Sequence, residues 1–297
     1  MTTGASATAR SGLEAVTDEA GRLLVLALDH RDSLRVEFDA EDPDSVPFDT
    51  LVQFKVDLVT GFGARPTAVM LDPELSIDPI LGAGLLPSSV GSLCALEAQG
   101  YLGDPDARTN QLLDGWSPAR AGAVGASAAK LLVLYRPDRG ATTDAQDDLI
   151  RQVVAGCGEA GLPLFVEPVP YDVVDHHDRE RTVIASAERI AALGPDVIKM
   201  PFPGDVDHPE RWASACRGLD DSIDVPWAIL SWGVGHDVFV RQVEAACAQG
   251  CSGFMAGRAI WREAVHTADR RDVIARVALP RFDALVAAAA EARSVFA

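Results

Sequence analysis

Short apolar segments recur along the chain, and most of them are continuous rather than alternating in polarity. Runs of this kind, rich in valine, isoleucine and leucine, are typical of parallel strands that are covered on both faces. Eight such runs occur: LLVLALD (23–29), TAVMLD (67–72), GSLCALEA (91–98), AAKLLVLY (128–135), LPLFVEP (162–168), PDVIKMP (195–201), VPWAILS (225–231) and CSGFMAG (251–257).

Helical patterns lie between these runs. Residues 147–161, 180–194 and 237–250 carry apolar positions at helical spacing, and each segment ends in glycine, the expected stop signal. The alternation predicts an α/β fold, a (β/α)8 TIM barrel. Residues 80–102 offer two possible positions for the third strand. The alternative fold is an open doubly wound sheet, but no GxGxxG follows the first strand, which disfavours a dinucleotide-binding version.

The chain shows no change in composition that would separate a second domain. We expect an N-terminal tail and short helix over residues 1–20 and a single barrel over residues 21–297. Segments 38–49 and 137–148 are predicted to be loops that follow strands, on the catalytic face of a barrel. The alanine-rich segment 284–293 is predicted to form a C-terminal helix.

Charge and composition exclude several classes of protein. The 297 residues include 26 basic and 44 acidic side chains, and the net charge of -18 leaves no polybasic face for nucleic acid or anionic lipid. No apolar run is long enough to cross a membrane, and the N-terminal stretch lacks the apolar core of a secretory signal, so we expect a cytoplasmic protein. The five cysteines, with no CxxC pair, are predicted to be reduced and buried.

The three lysines are the most informative residues. Lys55 lies in a helical pattern (48–62), where a solvated side chain is expected. Lys130 and Lys199 lie inside apolar strands, where an ammonium group is costly unless it is paired or has lost its proton. Lysine can deprotonate and arginine cannot, so these positions favour a Schiff-base amine. The alternative is that each lysine simply pairs with a carboxylate or a phosphate.

Acidic residues end several predicted strands, and in a barrel such residues converge on one mouth. Glu167 is our candidate for a proton shuttle beside a lysine, with Asp29 in support. Asp72, followed closely by Glu74, ends the second strand in the same way. The alternative for Asp29, Glu74 and Glu167 is that the carboxylate only caps a loop or a helix. The histidines do not cluster at strand ends, so we expect no metal site, and the pair at 176–177 is predicted to be a solvated loop or helix start.

The last two predicted strands are each followed by small residues, in ILSWGVGHD and FMAGRAIW. Backbone N–H groups at such strand-to-helix turns often hold a phosphate in barrels. The predicted anion-binding residues there are Ser231, Gly233, Gly257 and Arg258. Beyond the first strand, His30 and Arg31 are further candidates for substrate binding, and Arg31 or Arg136 could hold a second anion.

The segments LALDHRDSLR, AAKLLVLYRPD, LFVEPVPYD, DVIKMPFPGD and PWAILSWGV, with QVEAACAQGCSGFMAGRAIWREAV, resemble the class I tagatose 1,6-bisphosphate aldolase family, which includes bacterial sulfofructose phosphate aldolases. The resemblance implies a (β/α)8 barrel without metal or other cofactor that reversibly cleaves a ketose phosphate to dihydroxyacetone phosphate and a three-carbon aldehyde. It also implies a sugar phosphate as the binding partner and, by analogy, a homo-oligomer.

The resemblance also assigns roles to individual residues. It places the Schiff-base lysine at Lys199, the acid/base glutamate at Glu167, and the phosphate-binding group at Ser231, Gly257 and Arg258. Lys130 and Asp29 match the lysine of strand four and the aspartate of strand one.

Three positions depart from the family pattern. His30 stands where many members have glutamine, Trp232 replaces a smaller residue, and the segment ALEAQGY carries Gln99 and lacks the lysine of an EKTGY-like run. They leave the far end of the substrate open between a phosphate, a sulfonate and an uncharged group. Two alternative functions are a sugar-phosphate-binding regulatory protein on an aldolase scaffold and a metal-dependent barrel aldolase.

Overall fold

The structure, a computed structural model, describes residues 12–297. Eight parallel strands form a closed barrel in chain order, which confirms the predicted (β/α)8 fold. The strands are β1 (Leu23–Ala27), β2 (Ala68–Leu71), β3 (Gly91–Ala95), β4 (Ala128–Leu134), β5 (Leu164–Val169), β6 (Val197–Pro201), β7 (Trp227–Leu230) and β8 (Gly253–Ala256). Each lies within one of the eight apolar runs, apart from the last residue of β5.

Helices surround this barrel. They are α1 (Asp32–Phe38), α2 (Phe48–Phe62), α3 (Pro118–Ala123), α4 (Ala141–Ala160), α5 (His176–Ala191), α6 (Trp212–Asp220), α7 (His236–Cys247), α8 (Arg258–Trp261), α9 (Arg270–Val273) and α10 (Leu279–Ala288). Short 3-10 turns occur at Gly12–Val16, Pro43–Ser45, Pro209–Arg211 and Arg262–Ala264, and π-helical turns at Ile77–Gly82 and Ile274–Ala278. No helix within residues 12–297 is both long and apolar enough to cross a membrane.

Strand alternation explains why charged side chains enter the barrel. Side chains two residues apart on a strand point to the same face. Ala128, Phe165 and Val197 belong to the apolar cluster that fills the barrel interior. The residues two positions further along these strands are Lys130, Glu167 and Lys199, and all three line a cavity above that cluster. The apolar interior therefore supports a charged layer at the carboxyl ends of the strands.

Both ends of the described chain contribute to the same interior cluster. The fully buried Val16, in the 3-10 turn Gly12–Val16, and Val295 both join it. The Val295 N–H donates to the Gly21 carbonyl at 3.0 Å. The short helix predicted near the N-terminus is thus a 3-10 turn packed on the barrel, whereas residues 1–11 of the predicted tail lie outside the described residues.

Several local predictions require correction. The segment 137–148 is not all loop, because α4 begins at Ala141. The C-terminal helix ends at Ala288, before the predicted end at 293. β3 occupies the later of the two positions considered, at Gly91–Ala95. His177 lies in the first turn of α5, whose N-cap Asp175 accepts from the N–H of Asp178 at 2.8 Å, as predicted for a helix start.

Candidate active site

A cavity of about 270 Å³ opens at the carboxyl ends of the barrel strands. Its walls come from β1, from β4 to β8, and from the segments that follow β1, β3, β7 and β8. The lining residues are Ala27, Asp29, His30, Ser33, Glu97, Gln99, Lys130, Leu132, Glu167, Val169, Lys199, Leu230, Ser231, Trp232, Met255, Gly257 and Arg258. Most of the predicted site residues therefore meet in one place.

Lys199 is the central basic residue of the cavity. Its side chain is buried on β6, and its Nζ lies 2.9 Å from Glu167 Oε2 and 3.6 Å from Met70 Sδ. The thioether is only a weak acceptor, so among the described residues Glu167 is the one strong hydrogen-bond acceptor within reach of this amine. A carboxylate at this distance can take the proton that the lysine must lose before it attacks a carbonyl.

Lys130 lies among three carboxylates. Its Nζ is 2.8 Å from Asp29 Oδ2, 2.7 Å from Glu97 Oε1 and 3.0 Å from Glu167 Oε2. Burial alone would lower the pKa of Lys130, but the attraction of these acids raises that pKa well above its ordinary value. Lys130 is therefore a permanent cation, and it contacts the same Glu167 oxygen as Lys199.

Lys130 and Lys199 keep Asp29 and Glu167 ionised. Burial would raise the pKa of both Asp29 and Glu167, but Lys130 and Lys199 outweigh it, so the pKa of Glu167 is lowered and that of Asp29 lies well below its ordinary value. Both groups are thus present as bases at neutral pH.

Glu97 is a site residue that the sequence reasoning missed. It is buried two residues beyond β3, its Oε1 contacts Lys130, and its Oε2 accepts the backbone N–H of Leu132 at 3.0 Å. The available signal was an acidic residue inside the apolar run GSLCALEA, at a strand end like those of Asp29 and Glu167.

Ser231, Gly257 and Arg258 line the β7–β8 side of the cavity. Arg258 opens α8 directly after Gly257, and its guanidinium lies 3.4 Å from Glu37 while about a third of the side chain remains exposed. A hydroxyl, a helix start and a partly free guanidinium suit a phosphate group. A Cβ on Gly257 would lie 2.6 Å from His30 Cε1, so this strand end needs glycine.

His30 lies directly beside that anion-binding group, against Gly257. Its ring packs edge-on against Trp261, with centroids 5.2 Å apart, and its Nδ1 is buried without a hydrogen-bond partner among the described residues. Burial is the main cause that lowers the pKa of His30 to about 4, and the nearby Asp29 only partly opposes it. His30 is therefore neutral at pH 7 and offers a polar ring rather than a charge.

Four residues that the sequence singled out do not line the cavity: Arg31, Arg136, Gly233 and Lys55. Arg31 is buried, donates to Glu74 at 2.5 Å and to the Glu97 carbonyl at 2.7 Å, and does not line the cavity, so its position does not support the expected substrate contact. Arg136 likewise pairs with two aspartates, at positions 138 and 178.

Gly233 and Lys55 complete this group. Gly233 turns the chain beyond β7 with φ of 83° but does not line the cavity, and its contact with phosphate stays a prediction. The expectation of a solvated Lys55 is wrong: the side chain is 1% exposed and pairs with Asp72. Asp72 is also fully buried, so it is a structural partner rather than a free carboxylate at the mouth.

All five cysteines are buried, as predicted. Within residues 12–297, no three or more histidine, cysteine or acidic side chains are grouped so as to hold a metal ion.

Comparisons with known proteins agree with this arrangement. The model of the DeoC/LacD family aldolases matches residues 23–263. Tagatose 1,6-diphosphate aldolase of Streptococcus pneumoniae serotype 4 is 26% identical over 284 residues, covering 86% of this chain and 85% of that protein. The enzyme of the same name from Lactococcus lactis subsp. lactis is also 26% identical, with the same coverage.

Solved structures show the same fold. An archaeal fructose 1,6-bisphosphate aldolase has a TM-score of 0.62 at 20% identity, covering 92% of this chain and 96% of its own. Fructose-bisphosphate aldolase from Plasmodium falciparum has a TM-score of 0.71 at 15% identity, covering 95% and 93%. Since the family model covers nearly all of the barrel, this chain belongs to the DeoC/LacD family aldolases.

Proposed function

We propose that this aldolase is a class I enzyme that reversibly cleaves a ketose 1-phosphate to dihydroxyacetone phosphate and a three-carbon aldehyde. The observation that carries the proposal is the buried amine of Lys199, 2.9 Å from Glu167 Oε2, at the mouth of a barrel. Relatives named tagatose 1,6-diphosphate aldolases, and a solved structure titled as a Schiff-base-forming fructose bisphosphate aldolase, support it.

Imine formation begins with a proton transfer. Lys199 passes its proton to Glu167, and the neutral amine attacks the ketone carbon C2 to give a carbinolamine. Glu167 returns the proton to the carbinolamine hydroxyl, which leaves as water. The fixed charge of Lys130, on the same carboxylate oxygen, favours the neutral form of Lys199 and gives the substrate oxygens a hydrogen-bond donor.

Carbon–carbon cleavage then uses the imine as an electron sink. Glu167, assisted by Asp29, accepts the proton of the C4 hydroxyl, the C3–C4 bond breaks, and its electron pair moves into the iminium to form an enamine. The aldehyde leaves, Glu167 returns its proton to C3, and water hydrolyses the imine to release dihydroxyacetone phosphate. Apart from that water, each step uses this chain's lysines and carboxylates.

Ser231, Gly257 and Arg258 are proposed to hold the C1 phosphate next to the imine carbon. Tagatose 1,6-bisphosphate, fructose 1,6-bisphosphate and 6-deoxy-6-sulfofructose 1-phosphate all carry this phosphate and are therefore the substrates to assay first. A cytoplasmic location and a homo-oligomeric state stay predictions.

Borohydride trapping tests the mechanism. Reduction of the protein in the presence of dihydroxyacetone phosphate is expected to give a single mass adduct that peptide mapping places on Lys199. The adduct should be absent from Lys199→Ala. If no adduct forms, or if Lys199→Ala forms it equally, the Schiff-base mechanism is wrong.

A turnover assay on the three ketose phosphates separates the enzyme from a regulatory protein. Cleavage of at least one of them is expected, and full activity should remain in EDTA. Binding of all three without cleavage of any would favour the regulatory alternative. Loss of activity in EDTA would favour a metal-dependent aldolase.

A further inference from the structure

Arg258, which lines the cavity, is one of three charged side chains that meet at its rim. Its Nη1 donates to Glu37 Oε1 at 3.4 Å. Glu37 lies in the last turn of α1, and its side chain is only 17% exposed. Arg262, four residues beyond Arg258, contacts the same carboxylate. Two arginines therefore share one acidic partner.

The two arginines hold this carboxylate unequally. Arg262 engages both of its oxygens, with Nε 3.0 Å from Glu37 Oε2 and Nη2 3.1 Å from Glu37 Oε1. This is the bidentate geometry in which guanidinium and carboxylate groups bind each other most firmly. Arg258 reaches only one oxygen, at a distance that is long for a charge-assisted hydrogen bond. Glu37 is therefore mainly the partner of Arg262.

The spacing of the two arginines brings them to the same carboxylate. Arg258 opens α8, and Arg262 opens the 3-10 turn that directly continues it, so the two side chains lie one helical turn apart on one face. Like charges at this spacing repel each other, and a carboxylate between them relieves the repulsion. Among residues 12–297, Glu37 is the one acidic residue in ion-pair contact with either arginine.

Glu37 competes with an incoming phosphate for the guanidinium of Arg258. Neither Glu37 nor Arg262 lines the cavity, so a bound phosphate would meet Arg258 alone of the three. The more firmly Glu37 is held by Arg262, the less it competes.

Removal of Arg262 would change this balance. The carboxylate of Glu37 would lose its bidentate partner, and the guanidinium of Arg258 would be the one cation left in contact with it. A carboxylate without its cation seeks the nearest remaining positive charge, so the ion pair between Glu37 and Arg258 would strengthen. Arg258 would then bind phosphate less well.

We propose that Arg262 is a positioning residue for phosphate binding: it holds Glu37 away from Arg258 and so keeps the Arg258 guanidinium available to the substrate. Arg262 acts only through Glu37 and Arg258, without touching the substrate. This inference rests on the proposed function, in which Arg258 binds the C1 phosphate. It adds a residue outside the cavity that sets the affinity of the site for that phosphate.

Borohydride trapping at increasing ketone concentration tests this directly. In Arg262→Gln, the concentration of dihydroxyacetone phosphate that gives half-maximal adduct should rise about five-fold, the effect expected of one partly exposed ion pair. Dihydroxyacetone, the same ketone without the phosphate, should give half-maximal adduct at an unchanged concentration. In steady-state assays KM for a ketose phosphate should rise while kcat stays the same, because the phosphate contact is equal in the ground state and the transition state.

Removal of the competing carboxylate provides the second test. Glu37→Gln alone should bind dihydroxyacetone phosphate at least as well as the wild type, and Glu37→Gln/Arg262→Gln should lose the five-fold weakening seen in Arg262→Gln. If Arg262 only stabilised the turn after α8, the double variant would be as weak as Arg262→Gln, which would overturn the inference. Weaker binding in Glu37→Gln alone would also overturn it, even if Arg262→Gln failed to fold.

Arg276→Gln is the matched control for the change in net charge. Arg276 is 79% exposed and pairs with Asp272, and it does not line the cavity. Its substitution should leave the half-saturating concentration of dihydroxyacetone phosphate unchanged. An equal rise in Arg276→Gln, or no rise in Arg262→Gln, overturns the inference. If the wild type forms no adduct with dihydroxyacetone phosphate, the proposed function fails instead, so the two failures are distinguishable.

Discussion

His30 is a neutral ring held among charged neighbours, and this state links its protonation to the stability of the fold. Its pKa is about 4 in the folded protein and ordinarily 6.5. The group binds fewer protons when folded, so its contribution is fully present above pH 6.5 and is lost as the pH falls towards 4. The free energy of unfolding should fall by up to about 3 kcal/mol across this window on account of His30.

Urea denaturation of the wild type and His30→Gln between pH 7 and pH 4.5 measures this effect. The variant cannot titrate here, so its stability should depend less on pH than that of the wild type. The free energy of unfolding of the wild type, relative to that of the variant, should fall steadily as the pH falls. Parallel curves for the two proteins would show that His30 is not kept neutral by burial. His266→Gln, at a histidine outside the cavity, is the matched control and should follow the wild type.

Among individual residues, the sequence predicted the proposed catalytic pair, Lys199 and Glu167, better than the residues around it. Lys199 and Glu167 could be found because charged residues inside apolar strands stand out against their neighbours. Glu97 was missed, since its importance comes from contact with Lys130, which lies 33 residues away. The burial of Lys55 was also missed, because helical spacing alone does not show that its side chain pairs with Asp72 at the end of β2.

The end of β8 and the start of α8 depend on glycine at position 257, because a larger residue there would clash with its neighbours. A Cβ on Gly257 would lie 2.6 Å from His30 Cε1 and 2.9 Å from the Ala27 carbonyl oxygen, and the backbone oxygen cannot turn away. Gly257→Ala should therefore cost ~1–3 kcal/mol of stability and displace the start of α8. The KM for the ketose phosphate should rise because Arg258 begins that helix.

Gly235→Ala is the matched control for this substitution. Gly235 caps α7 with φ of -65°, and a Cβ there would meet nothing within 4 Å. Thermal unfolding and steady-state kinetics on both variants make the comparison. Equal stability and KM in the two variants would contradict the close approach seen at β8.

The pair formed by Lys55 and Asp72 joins α2 to the end of β2. Both side chains are buried, and Asp72 Oδ1 also accepts the N–H groups of Glu74 and Leu75. Lys55→Met leaves the carboxylate without its cation and should lower the free energy of unfolding by ~3–5 kcal/mol. The double variant Lys55→Met/Asp72→Asn should be more stable than Lys55→Met alone, since an amide oxygen can still accept the backbone N–H groups. Additive losses in a double-mutant cycle would mean that the two residues do not interact.

Apolar continuity was a good predictor of strands and a poorer one of helices. Parallel strands that are buried on both faces appear in the sequence as continuous apolar runs. All eight strands could therefore be located from such runs. α1 and α3, with seven and six residues, are too short to develop a helical period, and a π-helical turn takes the place of a helix after β2. The start of α4 was hidden because its first turn, ATTD, is polar and reads as loop.

The whole molecule carries a net charge of -18, whereas its proposed substrate is an anion that must enter a nearly neutral cavity. Two effects of salt then compete. Screening weakens the long-range repulsion between the acidic surface and the incoming phosphate, because the Debye length is about 30 Å at 0.01 M and about 10 Å at 0.1 M. It weakens the short-range attraction to Arg258 less, since that contact lies within a Debye length.

The long-range effect should dominate encounter, so kcat/KM for a ketose phosphate should rise between 0.01 M and 0.1 M NaCl. The value of kcat should change little, since the bound phosphate is already in the cavity. The rate profile against ionic strength, with potassium chloride as a check for specific ions, measures both. A fall in kcat/KM over this range would mean that a local positive field at the mouth outweighs the charge of the whole protein. In that case substrate capture is governed by the few cations of the site and not by the overall composition.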